Sequence, residues 1–284
     1  PDFQTTRWRQ QPAVAIPEVP VYQQERLQCG PAALAMALTW SGKTVLPEAL
    51  EKEVFTPGRH GSLQFALVGT ARRHGRAAYE IRGLDMLLQE LHSGHPVIVL
   101  ENLGLSWVPQ WHYSVVVGLD PARESIHLHT GRAQPEQRSL NSFLHTWGRA
   151  DNWGLLVLPP EQLPTSLDST QLLQALAGLE RSSPQAAAVA YEQVTQTCPD
   201  NHQAWIGLGN SRYAAGEYDR AATAFAHACQ AEPPAAIACN NLAQVLFEQG
   251  AREEARRAVL RALELGGPRR ADFMATLQEI DTSP

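Results

Sequence analysis

The residue with the clearest chemical potential is Cys29, which stands directly before a run of strong helix formers. Gly30 and Pro31 follow it, and Pro31 suits the first turn of a helix that continues to Trp40. A cysteine at the amino end of a helix meets unpaired backbone amides, which lower the pKa of a thiol towards the reactive thiolate. We therefore expect Cys29 to be a nucleophile rather than a buried structural cysteine, and Gly30 to leave space for a substrate backbone.

A cysteine nucleophile needs a base, and His112 is the histidine in the most suitable setting. It is the second residue of a β-branched run, Trp111–Asp120, which predicts a strand whose start can face a cleft. Trp107 and Trp111 precede this histidine and flank the approach to it. They either shape a substrate cleft or pack in the core or at its rim.

These residues resemble a known family, the C39 group of papain-like cysteine peptidases, which process bacteriocins at double-glycine sites. The resemblance spans roughly residues 21–131. It rests on one set of motifs in chain order: Gln23, then Gln28-Cys29-Gly30, a helix, and finally His112-Tyr113 at the head of a Val-rich strand.

The resemblance implies a catalytic role for three of these residues. Cys29 would attack the carbonyl that follows a glycine, His112 would shuttle the proton, and Gln23 would donate to the oxyanion. A side-chain amide suits the last role because it offers N–H donors without a charge. Gln28 is a further candidate donor, although the family commonly has an acidic residue there.

The family's third catalytic residue, an Asp about sixteen residues after the His, has no counterpart in this chain. The stretch 126–131 contains no carboxylate. Asp120 does not replace it, because eight residues of extended strand separate it from His112 by about 26 Å. The chain could therefore be a Cys–His dyad with a helper, a slow enzyme, or a binding protein that has lost catalysis.

Three uncharged residues could orient the His112 ring instead. A hairpin that turns at residues 120–124 would bring Thr130 or His129 back towards the ring, and Asn102 lies on the preceding loop. We take Thr130 as the fourth candidate catalytic residue. A neutral partner stabilises an imidazolium less than a carboxylate does.

The elements around these residues predict an α+β papain-like domain. Residues 84–92 have the pattern of a helix, and residues 95–100 that of a buried strand that precedes the His112 hairpin. In papain-like domains the cysteine helix packs against a twisted antiparallel sheet that carries the histidine.

The second half of the chain contains a repeat with a period of 34 residues. One unit is clear, and shifts of 34 find related residues within 171–199 and 239–267; the clear unit consists of Trp205, Leu208, Gly209, Ala221, Phe225, Ala228 and Pro233. This spacing resembles the tetratricopeptide repeat, a pair of helices. Small Gly209 would let two helices approach around Phe225, and Gly216 and Gly250 would form the turns with positive φ. A generic antiparallel helix bundle is the alternative interpretation.

A Pro-rich segment separates the two halves. We assign residues 1–158 to the peptidase-like domain, 159–167 to a stiff linker, and 168–284 to an all-α domain of about three repeats. Such repeats usually offer a groove to a peptide or protein partner, although they could instead cap the first domain.

Composition excludes several function classes. The chain of 284 residues is 44% hydrophobic and 18% charged, with a formal net charge of −6, and it lacks the basic surface that nucleic acids need. We expect no membrane span, no metal, no nucleotide and no other cofactor. Cys229 and Cys239 fall on successive helices, where a disulfide is conceivable. The composition fits the periplasm or the cytoplasm, and a first residue other than Met favours an exported protein.

The combined expectation is a thiol-dependent hydrolase, most simply a peptidase, whose protein substrate or partner is recruited by the repeats. Two alternatives remain open. One is a degenerate peptidase domain that binds a peptide, with the repeats as a scaffold. The other is acyl transfer, in which an amine replaces water on the thioester.

Overall fold

The computed structural model describes residues 7–23, 28–56, 61–105 and 107–282. The chain folds into two compact units, residues 1–175 and 176–284. The division falls inside a helix, and the domain bounds given above stay a prediction. Residues 24–27, which lie between Gln23 and Gln28 in the proposed motif, are outside the described residues.

The first unit combines helices with strands, as the α+β prediction requires. After a short 3-10 helix at Arg7–Gln10, its helices are α1 (Cys29–Trp40), α2 (Pro47–Val54), α3 (Gln64–Arg73), α4 (Leu84–His92) and α5 (Leu140–Gly148). Its strands are β1 (Val14–Ala15), β2 (Phe55–Thr56), β3 (Gly61–Ser62), β4 (Ala77–Arg82), β5 (Val97–Asn102), β6 (Trp111–Asp120), β7 (Ser125–His129), β8 (Glu136–Ser139) and β9 (Trp153–Leu158).

The strands form one antiparallel sheet of seven strands and a separate two-stranded ribbon. In the main sheet the order is β4-β9-β5-β6-β7-β8, with β1 paired to the end of β6, and the ribbon consists of β2 and β3. The strands β5 and β9 are buried along their whole length, and so is β6 from Tyr113 onwards. The sheet therefore holds the first residues of β6, His112 among them, at the boundary between core and surface.

Helix α1 is buried from Gly30 to Leu38, which explains its composition. Six of those nine residues are Ala, Gly or Pro, so the helix can approach the sheet closely. The helix begins at Cys29 itself and ends at Trp40, close to the predicted bounds. The predicted helix 84–92 and the predicted strand 111–120 are also confirmed.

The expectation that Gly30 leaves space for a substrate is wrong. A Cβ atom at this position would overlap the side chain of Ser62 in β3. Gly30 is required because the ribbon of β2 and β3 packs against the start of α1.

The second unit is helical. The helices from the linker onwards are α6 (Ser169–Glu180), which crosses the division between the units, α7 (Pro184–Thr197), α8 (His202–Ala214), α9 (Tyr218–Gln230), α10 (Ala236–Glu248), α11 (Arg252–Leu265) and α12 (Arg270–Thr282). The predicted turn glycines Gly216 and Gly250 have φ of 79° and 80°. A Cβ at Gly209 would overlap the Phe225 ring, as the close approach of the two helices predicts.

Cys229 and Cys239 form a disulfide that joins the ends of α9 and α10, with 4.8 Å between their Cα atoms. The two other cysteines, Cys29 and Cys198, are free. None of the helices within the described ranges is long and apolar enough to cross a membrane.

Candidate active site

Cys29 lies at the first turn of α1, and its sulfur lies against the start of β6. The backbone N–H groups of Tyr113, Gly30 and Cys29 itself are directed at the sulfur, and each lowers the pKa of the thiol. Burial outweighs them and raises the pKa of Cys29 above its ordinary value. The expected lowering of the thiol pKa is therefore wrong. The helix amides do lower the pKa, but the loss of hydration on burial raises it by more.

His112 is the second residue of β6 and is half-buried. Burial is the largest influence on its imidazole and lowers the pKa. The backbone carbonyl of Thr130 accepts a hydrogen bond from the ring, which partly opposes that lowering. At neutral pH the imidazole and the Cys29 thiol are consequently both uncharged, which suits a base that takes the proton only during attack.

Tyr113 connects the start of β6 to the cysteine helix. This residue follows His112 and gives its backbone N–H to the sulfur of Cys29. Its phenol donates to the carbonyl of Ser62 at 3.1 Å, so the strand, the cysteine helix and the ribbon are tied together here. Burial raises the pKa of Tyr113, and Cys29 raises it further once its thiol is ionised.

Thr130 contributes its main chain rather than its side chain. Its hydroxyl lies 3.4 Å from Glu136 and points to that carboxylate, while its carbonyl faces His112. The two other candidate orienters have different partners. The ring of His129 donates to the carbonyl of Pro20, and the Asn102 side chain accepts from the backbone of the loop that follows it.

Gln23 lies in the extended segment after β1 and is exposed. Gln28 caps the amino end of α1 without a side-chain hydrogen bond to the helix. The oxyanion role of Gln23 thus stays a prediction. The backbone N–H groups of Cys29 and Gly30, which already face the sulfur, offer additional donors in the same place.

Exposed tryptophans precede His112 in the chain, one on the loop between β5 and β6 and one at the start of β6. Trp107 is 76% exposed and Trp111 is 53% exposed, which excludes packing in the core. Asn102 fixes this loop by accepting from the N–H groups of Gly104 at 3.0 Å and Gln110 at 2.8 Å. Both indoles are therefore open to water, in the stretch of chain that leads to the candidate base.

A buried carboxylate, Glu101, was missed by the sequence reasoning. It lies directly opposite His112 in the register of β5 and β6 and has no exposed surface. The residue follows four apolar residues in a strand, and a glutamate in such a run is an unusual feature that could have drawn attention to it. Within the described ranges, no group of three or more His, Cys, Asp or Glu side chains could hold a metal ion.

Several solved structures share features of this fold. A putative C39-like peptidase from Bacillus anthracis is 18% identical, with 52% of this chain and 98% of that chain covered and a TM-score of 0.46. The peptidase domain of Streptococcus ComA, a bi-functional ABC transporter involved in a quorum sensing pathway, is 20% identical over 49% and 96% of the two chains, with a TM-score of 0.41. A double glycine motif protease from an AMS/PCAT transporter, solved with its leader peptide, is 22% identical over 49% and 90%, with a TM-score of 0.39.

No curated protein matches the sequence significantly. Family models do match both halves of the chain. Residues 16–152 match the Peptidase_C39 like family, and residues 172–236 and 206–273 match the tetratricopeptide repeat. The first range contains Cys29, His112 and the sheet strands from β4 to β8, and the two others lie in the helical repeats. The chain thus joins a domain that matches the C39-like peptidase family to a segment that matches the tetratricopeptide repeat.

Proposed function

We propose that this chain is a thiol peptidase that cleaves a peptide bond, after glycine, in a protein that its repeats recruit. Cys29 is the nucleophile, His112 is the general base and then the general acid, and Gln23 donates to the oxyanion. The observation that carries the proposal is the contact between the Cys29 sulfur and the N–H of Tyr113, the residue next to His112.

In the reaction, the uncharged thiol attacks the substrate carbonyl while His112 removes its proton. The resulting oxyanion accepts from Gln23 and from the helix amides near Cys29. The imidazolium then gives its proton to the leaving amine, the C–N bond breaks, and an acyl-thioester remains on Cys29. Water, deprotonated by His112, hydrolyses the thioester and restores the thiol.

The exposed indoles of Trp107 and Trp111 support a role in substrate binding. Trp107 lies on the loop held by Asn102, and Trp111 is the first residue of β6, directly before the proposed base in the chain. Because the loop is already held in place, binding an extended peptide on this apolar surface would cost little conformational entropy in the loop.

The repeats support recruitment of a protein. A groove of about 430 Å³ in the second unit presents mainly polar side chains from α8, α10 and α12. It is lined by Asn210, Tyr213, Phe225, Asn241, Gln244, Val245, Phe247, Glu248, Thr276 and Glu279. Amide and carboxylate side chains in this arrangement can pair with the backbone and polar groups of a bound segment.

Hydrolysis of a peptide panel with and without a Gly-Gly site tests the proposed function. We expect the intact protein to cleave on the carboxyl side of glycine, as read by mass spectrometry of the products. Cys29→Ser should reduce kcat by at least about a thousandfold, since a hydroxyl is a far weaker nucleophile without a strong base. Cys198→Ser is the matched control, because that cysteine is also free but lies in the repeats.

A binding module remains the second candidate, and two observations favour it. Residues 126–131 supply no carboxylate, and the resting thiol is protonated because its pKa is raised. If no peptide is cleaved but Gly-Gly peptides bind equally to the wild type and to Cys29→Ser, the chain is a binder. Transfer of the acyl group to an added amine, instead of water, would indicate acyl transfer.

A further inference from the structure

We propose that Glu101 is a positioning residue for His112 and supplies, from the neighbouring strand, the negative charge that the missing family Asp would provide. This inference rests on the proposed function, because it assigns a role within the same catalytic pair. It concerns a residue outside the motifs that define the family resemblance.

The strand register places the two side chains together. Glu101 of β5 and His112 of β6 are direct partners in the antiparallel ladder. Directly opposite residues of such a pair project from the same face, with Cβ atoms about 4.5–5.5 Å apart. The carboxylate of Glu101 therefore lies on the same face of the sheet as the imidazole.

Three donors from three elements hold the Glu101 carboxylate in place. Ser114 Oγ donates to Oε2 at 3.1 Å, while Arg138 Nη1 and Thr146 Oγ1 donate to Oε1 at 2.6 and 2.7 Å. The side chain has no exposed surface. A buried carboxylate is costly unless it is paired, and these three donors supply that pairing.

The charges around His112 show what the carboxylate does. Among them, Glu101 has the largest influence and raises the pKa of the imidazole, Arg138 lowers it by a smaller amount, and Glu136 raises it. Arg138 bonds both carboxylates, with Glu136 Oε1 at 2.8 Å from Nη2. In α1, the single titratable group is the Cys29 thiol, which is uncharged at rest.

Two tasks that one Asp performs in a triad are thus divided between two groups. The Thr130 carbonyl accepts from the ring and fixes its orientation, but it carries no full charge. Glu101 provides the charge that stabilises the imidazolium when His112 takes the proton of Cys29. With a backbone carbonyl and a cross-strand carboxylate in these two roles, the site does not need an acidic residue in 126–131, where there is none.

The test is an NMR titration of the His112 ring in the full-length protein, with its signal assigned by comparison with His112→Ala. We expect Glu101→Gln to lower the pKa of His112 by about one pH unit or more, because an opposite charge at this distance is lost. We expect Arg138→Gln to raise it. A merely structural role predicts shifts in the same direction, because each variant breaks the same ion pair.

Two further variants keep the result interpretable. Glu136→Gln should lower the pKa of His112 less than Glu101→Gln does, and the double variant Glu101→Gln/Arg138→Gln should lie between the two single variants. If Glu101→Gln fails to fold, comparison of Arg138→Gln with the double variant still gives the direction in which Glu101 shifts the pKa of His112. Equal or parallel shifts would overturn the role of Glu101.

The outcome is distinguishable from failure of the proposed function. If the wild type cleaves no peptide, the peptidase proposal fails while the titration still measures the Glu101 effect. If the wild type cleaves peptides but the Glu101→Gln and Arg138→Gln titrations match that of the wild type, only the positioning role is overturned.

Discussion

At the residue scale, the candidate site consists of Cys29 and His112, both uncharged before the reaction. Groups around them can stabilise the charges that form only during the reaction. Burial raises the pKa of Cys29 and lowers that of His112, so neither carries a charge at rest near pH 7. The backbone N–H groups at the sulfur and the groups around the ring would then stabilise the thiolate and the imidazolium as they form. In such a site the acidic partner need not follow the histidine in sequence.

The hydroxyl of Thr130 can be separated from its carbonyl by substitution. We expect Thr130→Ala to retain kcat/KM within about threefold of the wild type, because the carbonyl that accepts from His112 belongs to the main chain. The hydroxyl contributes only a 3.4 Å contact to Glu136. The measurement is steady-state cleavage of the best peptide from the panel.

His129→Ala is the matched control for Thr130→Ala. His129→Ala changes the neighbouring residue, whose ring bonds Pro20 rather than His112, and should also preserve activity when the protein is folded. A loss of a hundredfold or more in Thr130→Ala alone would show that the hydroxyl, and not the carbonyl, orients the base.

At the element scale, the close packing of the repeats depends on glycines. We expect Gly209→Ala to destabilise the second unit by about 1–3 kcal/mol, because the new Cβ would overlap the Phe225 ring, which is buried. The gain of up to about 1 kcal/mol in helix propensity does not offset this overlap. Urea unfolding followed by circular dichroism measures the difference.

Gly69→Ala is the control, since the added Cβ would meet only the end of the Arg73 side chain, at 3.4 Å. It should be neutral or slightly stabilising. A Gly209→Ala protein as stable as the wild type would mean that α8 and α9 can separate without cost, and the close packing described above would be wrong.

The sequence was sufficient for elements with a strong local pattern. The β-branched run of β6, the Ala-rich α1 and the 34-residue period each carry their own periodicity, and the structure places them close to the predicted bounds. The role of Gly30 was predicted wrongly because Ser62, which it contacts, is distant in sequence. A local pattern does not show which remote element will pack against it.

At the scale of the whole molecule, the parts of the site that escaped prediction are those assembled from several elements. Glu101 is held by groups from β6, β8 and α5, and the pKa values depend on total burial. These relations depend on strand register and three-dimensional packing. The sequence did identify the combination of a C39 peptidase-like domain with tetratricopeptide repeats, which both family models support.

The most direct measurement of the central claim, that His112 activates Cys29, is the rate of alkylation of each free cysteine by iodoacetamide at pH 7. Cys198 is an internal reference because it is exposed, whereas Cys29 is partly buried and has a raised pKa. Without a base, Cys29 should therefore react more slowly than Cys198. We predict that it reacts faster in the wild type and that His112→Ala slows it by about a hundredfold, which reverses the order. Equal Cys29 rates in the wild type and in His112→Ala would contradict the account.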